Sequence, residues 1–158
     1  MESITGRELL IRTLKHEKNL PRVPWVPFAG IHSGKLKGYT ATEVLTDADK
    51  LFESLLEVNR LYRPDGQPVL FDLQVEAEIL GCELVWAEKA PPSVSTHPLN
   101  DDKTIHEYLP EKTDGRLPLI LDVMKRFKAE VGNTTALFGL ICGPFTLASH
   151  LRGTELFM

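Results

Sequence analysis

Helical and strand-like spacings of apolar residues alternate along the chain. Thr5-Gly6-Arg7-Glu8 has capping-box spacing, and Leu9, Leu10 and Leu14 follow at helical intervals. That helix is expected to stop before Pro21. Residues 21–28 are rich in strand formers, but Pro21, Pro24 and Pro27 cannot donate ladder hydrogen bonds. An edge-like or irregular strand is expected there, ending in the glycine-bearing loop 29–34. A second capping box lies at Thr40–Glu43, with Tyr39 and Val44 placed as a hydrophobic staple. Thr46, with Asp47 and Asp49 in the first turn, is expected to cap a longer helix. Leu51, Leu55, Val58 and Tyr62 make its apolar stripe, and Pro64-Asp65-Gly66 turns the chain.

Residues 68–73 read as a short buried strand, followed by a helical stretch at 75–80 with Gly81 at its C-cap. Residues 83–87 and 93–97 read as two short strands around Pro91-Pro92, an excursion from the main sheet. Residues 98–117 are polar and weakly patterned, as in a surface connection with a short helix. Pro118 fits the first turn of a helix carrying Ile120, Met124, Phe127 and Val131, closed by Gly132-Asn133. Residues 135–142 are apolar without alternation, as in a parallel strand covered on both faces. Gly143-Pro144 opens a last helix that is expected to run on to Met158.

Strands alternating with helical patterns of this length indicate an α/β fold with a parallel sheet. With no repeat, low-complexity tract or linker, residues 1–158 are expected to form a single domain. The pattern supplies an N-terminal helix and about three β/α units. A closed (β/α)8 barrel needs eight, typically in ~250 residues.

Composition narrows the function classes. The 158 residues are 42% hydrophobic and 25% charged, with a formal net charge of −4, values of a globular chain. Nucleic-acid binding calls for a basic stripe, whereas Lys15, Lys18, Lys35 and Lys37 are scattered. No run approaches the 18 or more apolar residues of a membrane span, and no signal-peptide core opens the chain. The two cysteines, Cys82 and Cys142, sit in separate apolar runs, which suits a reducing compartment. A cytoplasmic protein with no nucleic-acid or membrane partner is expected.

The candidate site residues cluster near predicted strand exits. Asp72 follows Val69-Leu70-Phe71 at the end of a barrel-type strand, where active-site residues concentrate. It is either a functional carboxylate or the cap of the next turn. His32 and Gly30 belong to a loop whose glycines let the backbone approach a ligand; a solvated loop histidine is the alternative. Cys142 ends the third strand beside a helix N-terminus, a setting that can lower a thiol pKa, although packing would also explain it. Gly143 can offer a backbone amide to an anion or simply start a helix. His150 lies one helical turn beyond Thr146, in the site or in the core. Cys82 reads as structural, and Glu76 and Glu78 share a helix near the second strand. His16, His97 and His106 show no metal-ligand spacing.

Three segments carry a family resemblance: Arg22-Val23-Pro24-Trp25 with Gly30–Gly34; Phe71-Asp72 with Leu80-Gly81-Cys82; and Gly139–His150, which is similar to a G-x-x-x-G-P-[FW]-T-L strand-to-helix signature. In order along nearly the whole chain, they resemble the uroporphyrinogen decarboxylase superfamily. The resemblance implies an incomplete TIM (β/α)8 barrel, the N-terminal part of an enzyme that this stretch alone would not complete. It also implies that Asp72 corresponds to the decarboxylases' key carboxylate, which binds pyrrole NH groups. The decarboxylases' arginine pair is replaced by Pro27 and Ile31, so the loop lacks guanidinium forks for a polycarboxylate. Where they carry a tyrosine, this sequence has His150. That histidine and the pattern from Glu76 to Cys82 look more like the branch that transfers methyl groups between corrinoid proteins and thiols or folates. By the same resemblance, Asp72 and His150 would be catalytic, with His32, Gly30, Cys142 and Gly143 binding substrate. The implied partner is a corrinoid protein or a tetrapyrrole-like small molecule. Zinc and a corrinoid (cobalamin) would serve the parent enzyme; no metal ligand is assigned within this stretch, since the branch takes its His-x-Cys ligands from the barrel's second half. A scaffold without catalysis is the reading from another class. An incomplete parallel sheet also has a bare edge, so a homo-oligomer formed through residues 135–142 is expected.

Overall fold

The computed structural model describes residues 4–100 and 110–157. Thr5 caps α1 (Gly6–Leu14), its Oγ1 accepting the Glu8 amide at 3.1 Å. Leu9 and Leu10 are buried, whereas Leu14 is exposed.

Residues 21–28 form no ladder, in contrast to the irregular strand expected there. They make an extended strap held largely by one residue, Asp65. Its amide donates to the Trp25 carbonyl at 2.9 Å, and its carboxylate accepts the Trp25 amide at 2.8 Å. The same carboxylate takes both Arg22 guanidinium ends at 2.5 and 2.6 Å. Prolines at every third position remove the donors a ladder needs. A Cβ on Gly6 would lie 2.6 Å from Asp65 Oδ1 and 2.7 Å from its Cα, so α1 can cross this ion pair only with glycine there.

A single turn, α2 (His32–Lys35), follows the strap. In α3 (Ala41–Thr46) the capping box is complete, with Thr40 and Glu43 each bonding the other's amide. The cap of α4 (Ala48–Tyr62) is Asp47 rather than Thr46: Asp47 Oδ1 accepts the Asp49 and Lys50 amides at 2.9 and 3.0 Å. A carboxylate satisfies two orphan amides and places negative charge at the helix's positive end. Thr46 instead closes α3, donating its hydroxyl to the Thr42 carbonyl at 2.7 Å. Leu51, Leu55 and Val58 of α4 are buried, and Arg63 ends the helix in the left-handed region at φ 46.

The sheet is a parallel pair, β1 (Gly66–Pro68) and β4 (Ala136–Phe138), with Gly66 opposite Ala136 and Pro68 opposite Phe138. One more ladder bond joins the Val69 amide to the Phe138 carbonyl at 3.1 Å. The predicted strands 68–73 and 135–142 are therefore too long, and the first is shifted. By residue 72 the chain has turned, with Asp72 bonding the Gln74 amide. The short helix α5 (Val75–Ile79) follows, with Gly81 at φ +98. The antiparallel pair β2 (Leu84–Val85) and β3 (Ser93–Val94) is the predicted excursion. Residues 101–109, the middle of the expected surface connection 98–117, lie outside the described residues.

Helix α6 (Leu117–Val131) has Pro118 in its first turn, and Val123 and Phe127 are fully buried one turn apart. They join Leu51, Leu55, Val69 and Leu70 in one core between α4, α6 and the sheet. On α1's side the fit is close: a Cβ on Gly66 would meet Phe138 and Leu10 at 2.6 and 2.9 Å. A buried polar set ties α4 to the entry of both strands. Asn59 Nδ2 donates to Gln67 Oε1 at 3.2 Å and to Thr135 Oγ1 at 3.1 Å, while Gln67 Nε2 donates to the Leu55 carbonyl at 2.9 Å. Each buried polar atom in it has a partner, as a low-dielectric interior requires.

The last segment is two helices instead of one: α7 (Pro144–Arg152) stops at Gly153, φ +84, and α8 (Thr154–Phe157) begins after it. The fold is thus mixed α/β, with two parallel strands among the described residues where about three β/α units were expected. Among the described residues, no helix is long and apolar enough to cross a membrane.

Candidate functional site at the exits of β1 and β4

Because the strands are parallel, the segments leaving β1 and β4 emerge at the same end. Asp72 and Glu76 from the first, and Gly139, Leu140 and Ile141 from the second, line one mainly apolar cleft of about 180 Å³. Glu76 spans the two exits: its Oε1 accepts the Cys142 amide at 3.0 Å. Asp72 and Cys142 therefore share a rim.

The Asp72 side chain is 0% exposed and fully engaged. Oδ1 accepts the Gln74 amide at 2.9 Å, and Oδ2 accepts Arg116 Nη1 at 2.6 Å. Arg116 also donates through Nε to Glu78 at 2.7 Å and from Nη1 to the Leu45 carbonyl at 3.3 Å. Its guanidinium carbon lies 5.0 Å from the Trp86 ring centre, a cation–π distance. Arg116 Nη2 is buried without a partner. Charge-assisted bonds of this kind hold a carboxylate firmly. Both of the roles open to Asp72 in the sequence meet here, since it caps the turn and stands at the rim.

Arg116, Glu78 and Trp86 complete the arrangement, and the sequence did not single out Arg116 or Trp86. Arg116 lies in a polar, weakly patterned stretch, and its partners are 38 and 44 positions away. A buried carboxylate demands a cation, but nothing local says which.

The other candidates are placed as follows. Gly30, at φ +52, packs over Phe71, with a Cβ there 3.8 Å from the ring, so the first loop reaches the same rim. His32 does not join it. Its Nε2 is 2.8 Å from the Tyr62 hydroxyl, and the two rings stack with centres 6.2 Å apart. Tyr62 ends α4 just before the entry of β1 and lies edge-on to Trp25, so the His32 ring is directed toward the strand's start. Gly143 caps α7 with open space around its Cα. The His150 carbonyl receives His97 Nδ1 at 2.7 Å and Cys82 Sγ at 3.5 Å, while its own Nε2 is buried without a partner.

The thiols run against the reactive setting expected for Cys142. Burial raises its pKa and the Glu76 carboxylate raises it further; burial alone raises that of Cys82. The Cys142 amide itself donates to Glu76 Oε1, which keeps that carboxylate beside the thiol. Among the described residues no group of three or more His, Cys, Asp or Glu is placed to hold a metal ion. These residues do not fit a zinc site.

Comparison with known proteins gives the arrangement a context. The family model described as uroporphyrinogen decarboxylase (URO-D) matches residues 5–158. A methylcobamide:CoM methyltransferase, MtbA, of Methanosarcina acetivorans is 28% identical over 99% of this chain and 48% of its own length. A uroporphyrinogen decarboxylase of Nostoc sp. is 27% identical over 66% of this chain and 31% of its own. Among solved structures, a methyltransferase from Methanosarcina mazei superposes with a TM-score of 0.84 at 25% identity, covering 99% of this chain and 48% of that one. The chain spans about half the length of these two methyltransferases.

Proposed function

This chain belongs to the uroporphyrinogen decarboxylase family, and from that premise we propose that it forms the N-terminal part of a (β/α)-barrel enzyme that transfers methyl groups between a corrinoid protein and a thiol or folate acceptor. The observation that carries this reading is the extent of similarity. The methyltransferase match runs over 99% of the chain, whereas the decarboxylase match runs over 66%. The first loop supports it. Arg22, the cation of the strap, is committed to Asp65 at both guanidinium ends, and Pro27 and Ile31 offer no charge. A substrate bearing several carboxylates would find no free guanidinium in residues 21–31.

In this reading Asp72 is a positioning residue. Its carboxylate anchors Arg116 and fixes the turn at the exit of β1, while the apolar surface of Phe71, Leu140 and Ile141 faces the ligand. His150, with its unpartnered ring nitrogen, is the proposed polar contact to the substrate. Gly30, Gly143 and the Cys142 backbone would border the ligand without reacting. A corrinoid, when bound to such an enzyme, supplies the cobalt-bound methyl group. In this reading the residues of the rim shape its surroundings.

Uroporphyrinogen decarboxylation is the second reading, favoured by the buried carboxylate at the strand exit and by the decarboxylase match. The two are separated by a spectroscopic titration of a chimera in which residues 1–158 replace the matching half of the M. mazei methyltransferase. A saturable change in the methylcobalamin spectrum, with none for a porphyrinogen, is the expected result. The reverse pattern would establish the decarboxylase reading.

A further inference from the structure

Glu76 stands half-buried on the wall of the cleft with one carboxylate oxygen uncommitted. Oε1 accepts the Cys142 amide at 3.0 Å, and among the described residues that is the one hydrogen bond of its side chain. No cation there pairs with it. Asp72, the other acid on the wall, differs: both of its oxygens are occupied. Its partner Arg116 also serves Glu78, so one guanidinium answers two carboxylates and has no charge to spare for Glu76. Among the described residues no Lys, Arg or His lines the cleft, and the rest of its wall is mainly apolar. A carboxylate in such surroundings gains from a hydrogen-bond donor and repels a second carboxylate.

We propose that Glu76 is the specificity-determining residue of this cleft. Its Oε2 accepts an N–H from a carboxamide side arm of the ligand, and its charge turns a carboxylate arm away. The space, about 180 Å³, suits a side arm of a large ring rather than the ring itself. A cobalamin-type corrin is bordered by carboxamides, whereas uroporphyrinogen is bordered by carboxylates, so one residue separates the two by attraction and by repulsion. The bond from Cys142 holds the carboxylate between the exits of β1 and β4, which fixes where Oε2 is presented. The proposal rests on the corrinoid reading for the identity of the ligand. It adds the side chain that enforces the choice.

Equilibrium dialysis of the 158-residue chain against dicyanocobinamide and dicyanocobyrinic acid, at up to about 1 mM, tests it. The two probes share a ring and differ chiefly in carrying amides or carboxylates. The chain is expected to bind the cobinamide at least about tenfold more tightly than the acid. E76Q still offers an oxygen to the Cys142 amide, so its far-UV circular dichroism should match the parent's. It should bring the two affinities within about threefold, mainly by admitting the acid. E76D keeps the charge and should keep the preference. Equal binding of both probes by the parent, or a preference unmoved in E76Q, would overturn the proposal while leaving the corrinoid reading in place. A preference lost equally in E76D and E76Q would make Glu76 a strut for the Cys142 turn and also overturn it. Retention of neither ring would remove the corrinoid reading and the proposal together.

Discussion

Arg116 reaches across 44 positions of sequence to place Nη1 2.6 Å from Asp72 Oδ2, and the acceptor is completely buried. Removing one partner of a buried pair strands the other's charge, at a cost of about 3–5 kcal/mol. R116A and D72A are each expected to lose stability of that order in urea denaturation. D72L/R116M, which replaces the pair with apolar volume, should cost less than either single change. A double variant as unstable as both singles together would show that the two residues act independently.

The start of α4 distinguishes a carboxylate cap from a hydroxyl cap. D47A should cost about 1 kcal/mol, within the usual 0.5–2 kcal/mol for a lost N-cap. T46A removes one side-chain bond at the end of α3 and should cost less. Thermal unfolding of the two variants side by side gives the answer.

Glu43 gives the chain an acid-sensitive component. Its carboxylate is held at about 2, well below the ordinary 4.5, by the hydrogen bond from Lys50 and then by bonds from the Thr40 amide and hydroxyl. A carboxyl with a depressed folded-state pKa stabilises fully above its unfolded value, and the effect fades as pH falls through the folded one. The melting-temperature gap between the parent and E43Q should therefore be constant above about pH 5 and close between pH 4.5 and 2. A gap that widened toward acid would contradict the assignment.

Cys142 should be a slow nucleophile. Burial and Glu76 push its thiol up from an ordinary 9.0, and burial pushes Cys82 up too, so little thiolate is present at pH 8. Reaction with a disulfide reagent should be slow for both in the native chain and rapid after denaturation. E76Q should speed Cys142 selectively, which peptide mapping of the labelled site would show.

Local chemistry was legible in the sequence. The Thr40–Glu43 box, the Leu51–Leu55–Val58 stripe, Pro118 in the first turn of α6 and the excursion around Pro91-Pro92 all depend on neighbours within a few residues. Strand extents were less so, because an apolar run such as 135–142 does not reveal where its partner turns away. At 68–73 that end is set by Asp72, whose cation lies on the approach to α6. Likewise, the His32 loop showed a glycine-flanked histidine, but only the packed structure supplies Tyr62 and turns the ring toward the start of β1. The sharing of one rim by Asp72 and Cys142 followed from parallel strands. The bridging role of Glu76 did not, since one helix offered Glu76 and Glu78 on equal terms.

Turnover by the chimera tests the central claim most directly. Supplied with methylcobalamin and a thiol in one assay and with uroporphyrinogen in another, it is expected to demethylate the corrinoid and to leave the tetrapyrrole's carboxylates in place. Carbon dioxide release from uroporphyrinogen, with methylcobalamin unchanged, would contradict the account.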